Sequence, residues 1–308
     1  MREQENVNLS NLLAQPKVLQ AEADKLQRSI GWETLTSRGK RGFIQYGSYF
    51  AAMWGFGLIY SEESRLFRSA NFYWRFIDDI ADKDRPLSPW YKSREEFLQH
   101  KKGTIHQLFS QPESTIYGDK EDILLADYYS TSRKLGVDLS QESFDILDSI
   151  IFDEERARER RILTQQELDE YFGQLDPACI RGALKVAGET CDHRNFDPLS
   201  LAVRTMFNLR DFPKDFRDGL INMSEEDIKR YGVELEALRV DRVEQFAGYH
   251  PMRRWYQDQI TAGQYYLDVS RKILSRLELK KITRFVTRAF FERPAQTTLG
   301  KYAKIFAA

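Results

Sequence analysis

Apolar residues recur at intervals of three and four along nearly the whole chain. Alternating runs bounded by Asn-Gly or Asp-Gly turns are missing, so the pattern predicts an all-α fold. It places helices over 64–83, 93–110, 120–135, 141–161, 165–188, 198–218, 240–275 and 279–291. Capping-box spacing marks the starts at Ser93 with Glu96 and at Thr164 with Glu167, and Ser224 with Asp227 is an acidic variant. Breaks are expected at Pro86 to Pro89, Pro112, Asn195 to Pro198 and His250-Pro251. The greasiest stretch, Ala51 to Tyr60, reads as a buried helix, since about 20 such residues are needed to span a bilayer. Asp153 to Arg161 alternates in sign at helical separations and reads as a solvated, salt-bridged face. Near the C-terminus an amphipathic helix should pack Ile282, Phe285, Val286 and Ala289 inward. Its Lys280, Lys281, Arg284 and Arg288 allow at most a peripheral membrane contact.

Texture hardly changes along the 308 residues, so one domain is expected, with 1–35 as a peripheral N-terminal segment. The balance of 46 basic against 47 acidic residues offers no electrostatic argument for nucleic acid. Cys179 and Cys191 lack metal or redox spacing, and no signal-type apolar run follows the charged residues after Met1. A cytoplasmic location is expected. His100, His106, His193 and His250 are scattered in segments that read as surface, so no histidine is needed for chemistry. Aromatic residues make up 13%, enough to line a cavity as well as a core.

Two acidic clusters stand inside apolar, aromatic surroundings: Asp78, Asp79 and Asp82 after Phe72-Tyr73-Trp74, and Asp211 with Asp215 around Phe212-Pro213. Carboxylates beside buried surface are costly unless paired or metal-bound. Helical spacing lets Asp78, Asp79 and Asp82 project toward one cleft, with Arg75 one turn before Asp79. Asp211 and Asp215 are likewise one turn apart, and Pro213 should kink or loosen their helix. Two such clusters facing a helical cavity would hold hard cations. Mg²⁺ suits them, because it takes one or two carboxylates and completes its shell with water and phosphate oxygens. Lys214, Arg210 and Arg217 could balance the remaining phosphate charge.

Phe72 to Asp82, with its arginine and all its acids, resembles the first aspartate motif of the squalene/phytoene synthase family. Leu209 to Arg217 resembles the second. Thr164 to Tyr171 is similar to the stretch leading into a helix-borne tyrosine, and Gly47 to Phe50 to an N-terminal Ser-aromatic segment. The resemblance spans roughly 40–290. It implies an isoprenoid synthase-type helical bundle around a central cavity, and an enzyme that ionises a prenyl diphosphate. Asp78, Asp79, Asp82, Asp211 and Asp215 would hold Mg²⁺, while Arg75, Lys214, Arg217 and Ser48 would contact the diphosphate. Tyr171 would stabilise or deprotonate the cation. Aromatic walls, drawn from residues such as Phe50, Trp54, Phe56, Phe72, Tyr73, Tyr171 and Phe207, would exclude water and contact it.

Departures from the family pattern cluster in the second half. Arg204 and Phe207 replace a Gln and an Asn. Asp176-Pro177 and Cys179-Ile180 replace small Ala-Gly and Val-Gly pairs. Gly219, Leu220, Ile221 and Asn222 stand where a Gly-Arg-x-Tyr flap belongs. These exchanges narrow the presumed site and add a carboxylate, Asp176, able to orient or deprotonate a nucleophile; an ion pair with Arg181 or Lys185 is its other reading. The expectation is therefore an Mg²⁺-dependent prenyltransferase acting on a C10–C20 isoprenyl diphosphate, with an aromatic or heteroaromatic small molecule as acceptor. The alternative is head-to-head joining of two prenyl diphosphates. Further alternatives are a terpene cyclase and a non-catalytic homologue.

Overall fold

The computed structural model describes residues 6–37, 47, 50–238 and 242–307, apart from the side chains of 37, 175 and 237. The chain divides into two compact units, Met1–Ile151 and Phe152–Ala308.

In the first unit a two-residue strand, Val7–Asn8, pairs antiparallel with Tyr117–Gly118. Helices follow at α1 (Leu9–Leu13), α2 (Pro16–Ser37), α3 (Ser61–Ala81), α4 (Arg94–Ser110), α5 (Asp122–Leu135) and α6 (Ser140–Glu159), the last of which runs on into the second unit. The apolar side of α2 is buried through Leu19, Ala23, Leu26 and Ile30, and α3 packs on both α2 and α5. A polar network joins these three helices. Arg65 Nη2 lies 2.7 Å from Asp127, which also accepts from Ser69, and Gln27 donates to Ser69 at 2.9 Å. Each helix thus supplies a partner that the others need, since a buried charge left alone costs several kcal/mol.

In the second unit come α7 (Gln165–Val186), α8 (Asp197–Asp218), α9 (Glu225–Tyr231), α10 (His250–Leu274), α11 (Lys281–Val286), a π-helical segment Thr287–Glu292, and α12 (Arg293–Phe306). The Thr164–Glu167 capping box opens α7 as its spacing predicts. Helix α8 continues through Pro213. Proline has no N–H for the carbonyl four residues earlier. That carbonyl, Leu209 O, instead accepts the Tyr256 hydroxyl of α10 at 3.1 Å. The ring of Phe212 packs on Trp255, Tyr256 and Phe246, and Tyr256 stacks on Phe306 at 4.5 Å. Helix α8 is therefore the core helix of this unit.

Several sequence expectations need correction. The helix expected over 240–275 begins only at His250, behind a 3-10 turn at Val243–Gly248. The predicted 279–291 helix is shorter and passes through the π-helical segment into α12. Within it Ile282 and Val286 are buried as expected, whereas Phe285 is exposed. The stretch 51–60 is only partly buried, with Leu58 and Ile59 at 90% and 79% exposure. Among the described residues no helix is long and apolar enough to cross a membrane.

Candidate active site

Helix α3 carries the first acidic cluster at its C-terminal end. Its last turn has no basic residue, and Asp82 is the C-cap. The helix dipole is negative there, so three carboxylates at this end create a strong demand for a cation. Arg75 meets part of it, 3.2 Å from Asp79. Asp78 is exposed, while Asp79 and Asp82 are half-buried. The chain turns back by Lys83, whose φ is 64°, and Arg85 N donates to Asp79 O at 2.8 Å. Earlier on the same helix, Phe72 packs against Phe50 and Trp54 at 5.3 and 5.7 Å between centroids. Phe50 and Trp54 line an apolar groove of about 460 Å³ with Gly31, Trp32 and Leu35. Residues 72, 75, 76 and 79 share one helix face, so the groove rings and Asp79 are about 10 Å apart along α3. Phe56, Phe72 and Tyr73 are core residues. Ser48 lies outside the described residues.

Helix α8 carries the second cluster. Asp211 is paired with Arg210 at 2.6 Å, and Lys214 with Asp218 at 3.2 Å. Arg217 is exposed, and Phe207 is half-buried beneath the Arg210 guanidinium, 4.7 Å from its ring centroid. Asp215 accepts from Asn222 Nδ2 at 3.3 Å. Gly219 makes this approach possible. Its φ of 100° closes the end of α8, and a Cβ there would sit 2.2 Å from Ala157 O. The substituted flap therefore turns Asn222 back onto Asp215.

A chain of contacts leads inward from Asn222. Arg156 of α6 donates from Nη2 to Asn222 Oδ1 at 2.6 Å and to Asp153 Oδ1 at 3.1 Å. Asp153 also accepts the Tyr171 hydroxyl. Arg156 is 1% exposed, which overturns the reading of 153–161 as a solvated face at that position. Burial raises the Asp153 pKa against the opposing pull of Arg156, Tyr171 and Arg204. Burial, then Asp153, pushes the Tyr171 pKa well up, so it stays a phenol. Asp176 is buried and bonded to Arg204, not to Arg181 or Lys185. The Arg204 guanidinium also lies over the Tyr171 and Phe172 rings at 5.7 and 4.9 Å. Two departures from the family pattern thus answer each other as one buried ion pair.

A third acidic group was not anticipated. His100, Asp119 and Asp122 place their ligand atoms within 4.8 Å of one another, the one such trio among the described residues. The fully buried Lys101 ammonium already supplies positive charge there, 2.9 Å from Asp119 and 2.7 Å from Asp122. Burial alone would discharge that amine, but Asp122 and Asp119 outweigh it and its pKa is raised. Tyr73 and Tyr91 donate to the same carboxylates. The reading of His100 as a surface residue is corrected: its Nε2 is buried and lacks a hydrogen-bond partner.

A family profile for squalene/phytoene synthase matches residues 69–291. The chain belongs to the squalene/phytoene synthase family. No curated relative matches it in sequence. Among solved structures it is similar to the squalene synthase HpnC from Alicyclobacillus acidocaldarius, at 15% identity and a TM-score of 0.62 over 97% of this chain and 96% of that one. At such identity the likeness shows the fold, the helical isoprenoid synthase fold. Membership in the squalene/phytoene synthase family brings prenyltransferase-type isoprenoid chemistry and use of divalent metal ions. The donor sets suit such ions. Asp78, Asp79 and Asp82 offer only hard oxygen ligands, retain access to water and sit at a helix end that calls for positive charge.

Sequence reasoning missed Asp153, Arg156 and Asn222. Residues 153 and 156 lay within a charged run whose pattern signals a surface, and nothing local indicates that a neighbouring segment covers them. The only signal was the absence of the flap arginine and tyrosine, which left a charge to be accounted for.

Proposed function

We propose that residues 1–308 act as one squalene/phytoene synthase-like domain that joins two isoprenyl diphosphates head to head, with Mg²⁺ and release of diphosphate. The observation that carries this reading is the acid-rich, base-free last turn of α3, on the helix face that leads back to the Phe72 aromatic groove. A diphosphate held at Asp79 would let its hydrocarbon run along that face toward Phe50 and Trp54.

Bound Mg²⁺ would supply charge neutralisation and Lewis acidity at the departing diphosphate. On α3, Asp78, Asp79 and Asp82 would offer oxygen ligands to such ions, and on α8 Asp211 and Asp215 would do the same. Arg75 and Lys214 add fixed positive charge at each helix, with exposed Arg217 a further contact. When the allylic C–O bond breaks, its electron pair leaves with the diphosphate. Aromatic side chains then face the cation without offering a nucleophile. The double bond of the second substrate closes on that cation, and a proton must leave. Tyr171 can accept it while passing its own phenolic proton to Asp153, whose raised pKa suits the task.

The sequence favoured a different acceptor because Asp176 resembled a polar group beside the cavity. Its bond to Arg204 engages that carboxylate, which supports the head-to-head reading instead. The test is incubation with farnesyl or geranylgeranyl diphosphate and Mg²⁺. A C30 or C40 product formed with no added acceptor is expected. Prenyl transfer seen only when an aromatic acceptor is added would overturn it.

A further inference from the structure

We infer that Arg156 is an anion-binding residue, placed to take an oxygen of a diphosphate group in the neighbourhood of Asp215. The choice of diphosphate as the anion rests on the function proposed above. A guanidinium carries five N–H donors and no acceptor. Arg156 uses only Nη2, toward Asp153 and Asn222, and its Nε and Nη1 are buried without any hydrogen-bond partner. Arg65, also buried, bonds through Nε, Nη1 and Nη2 alike. Buried polar atoms are almost always satisfied, so a wholly enclosed cation with two idle nitrogens points to a missing acceptor.

The surroundings narrow what that acceptor is. Phe152 and Tyr171 have their ring centroids 5.8 and 4.9 Å from the guanidinium carbon, and neither ring offers a strong acceptor. Asp153 already takes Tyr171 on its other oxygen. Because Arg156 can only donate, Asn222 must present Oδ1 to it and Nδ2 to Asp215, which fixes the amide between the cation and the acid. Arg156 therefore stands one residue removed from an acid of the second cluster. A ligand bearing several oxyanions satisfies it, because Asp153 is shared with Tyr171 and leaves Nε and Nη1 without an acceptor.

The probe is inorganic diphosphate, titrated calorimetrically into the full-length protein with Mg²⁺, alongside a non-ionisable prenyl thiodiphosphate. Asp153→Asn/Arg156→Gln removes both charges together and keeps hydrogen-bonding groups in place. It should weaken both ligands by about tenfold to a hundredfold, the worth of a charge-assisted hydrogen bond. Asp153→Asn alone, which keeps the guanidinium, should bind diphosphate within threefold of wild type. Unchanged affinity in the double variant would overturn the inference, as would an equal loss in Asp153→Asn. Should the double variant fail to fold, a crystal structure of the wild-type protein with Mg²⁺ and diphosphate decides. It must show a phosphate oxygen within hydrogen-bond distance of Arg156 Nε or Nη1, and no such contact refutes the assignment. These readouts do not require turnover, so they stand apart from the prenyl-transfer assay: absent coupling with intact, Arg156-dependent diphosphate binding would sink only the proposed function.

Discussion

Replacing Asp176 by alanine strands the Arg204 guanidinium in the interior of the second unit. The two side chains are 8% and 11% exposed and bonded to each other. Removing one partner of such a pair costs about 3–5 kcal/mol, because the remaining charge has lost both water and counter-ion. The Tyr171 and Phe172 rings stay against Arg204 and hold the loss near the lower end, about 3 kcal/mol. At about 2–4 °C per kcal/mol for a large domain, the midpoint of a thermal melt followed by circular dichroism should fall by about 6–12 °C. Asp176→Ala/Arg204→Met removes both charges and should melt within about 1 kcal/mol of wild type, giving a coupling of about 2 kcal/mol or more in a double-mutant cycle. Arg204→Met alone behaves differently with pH. Burial already raises the Asp176 pKa, and loss of the guanidinium raises it further. A raised carboxyl contributes stability that is fully present below its unfolded pKa and is lost as pH rises through the folded value. Arg204→Met should therefore lie closer to wild type at pH 4.5 than at pH 8, by the logic of proton linkage. Additive single-variant losses, with coupling under about 0.5 kcal/mol, would refute the idea that these two departures form one unit.

Asp79→Ala and Asp215→Ala should each cut diphosphate release by orders of magnitude with unchanged helicity, and wild-type rates in either would sink its assignment as a metal ligand. Gly219→Ala puts a Cβ 2.2 Å from Ala157 O at a φ of 100° and should cost about 2–4 kcal/mol in urea unfolding; an unchanged midpoint would mean that the turn holding Asn222 is adjustable. Tyr231 and Tyr302 are pushed up to about 12, each chiefly by burial and next by Asp258 or Asp211. Their stabilising contribution is complete below pH 10 and is lost as pH rises through 12. Absorbance at 295 nm should thus show these phenols ionising together with alkaline unfolding, and early ionisation with the fold intact would contradict the packing around them.

Some of this architecture could be read locally. The start of α7 was legible because Thr164 and Glu167 are three residues apart and bond to each other in the fold. The grouping of Asp78, Asp79 and Asp82 at one helix end was legible for the same reason: it depends on one helix only. The partner of the carbonyl that Pro213 leaves without an N–H was not, since it is the hydroxyl of Tyr256, 47 residues away. Nor was the helix over 240–275, where the apolar period continues through a segment that Val243–Gly248 winds more tightly.

What the sequence determined by itself is therefore what short-range geometry can carry: the helical class, most of the helix starts, both acidic clusters and, through their flanking residues, the squalene/phytoene synthase family. The tertiary structure decided which charges answer which. Tyr171 with Asp153, Arg204 with Asp176, and Arg156 with Asn222 are 18, 28 and 66 residues apart. Each looks like an ordinary surface charge or an unexplained substitution when read in its own segment. Only packing removes the water from around them, and only then does a charge require a particular partner, because in solvent any of these groups would be satisfied alone.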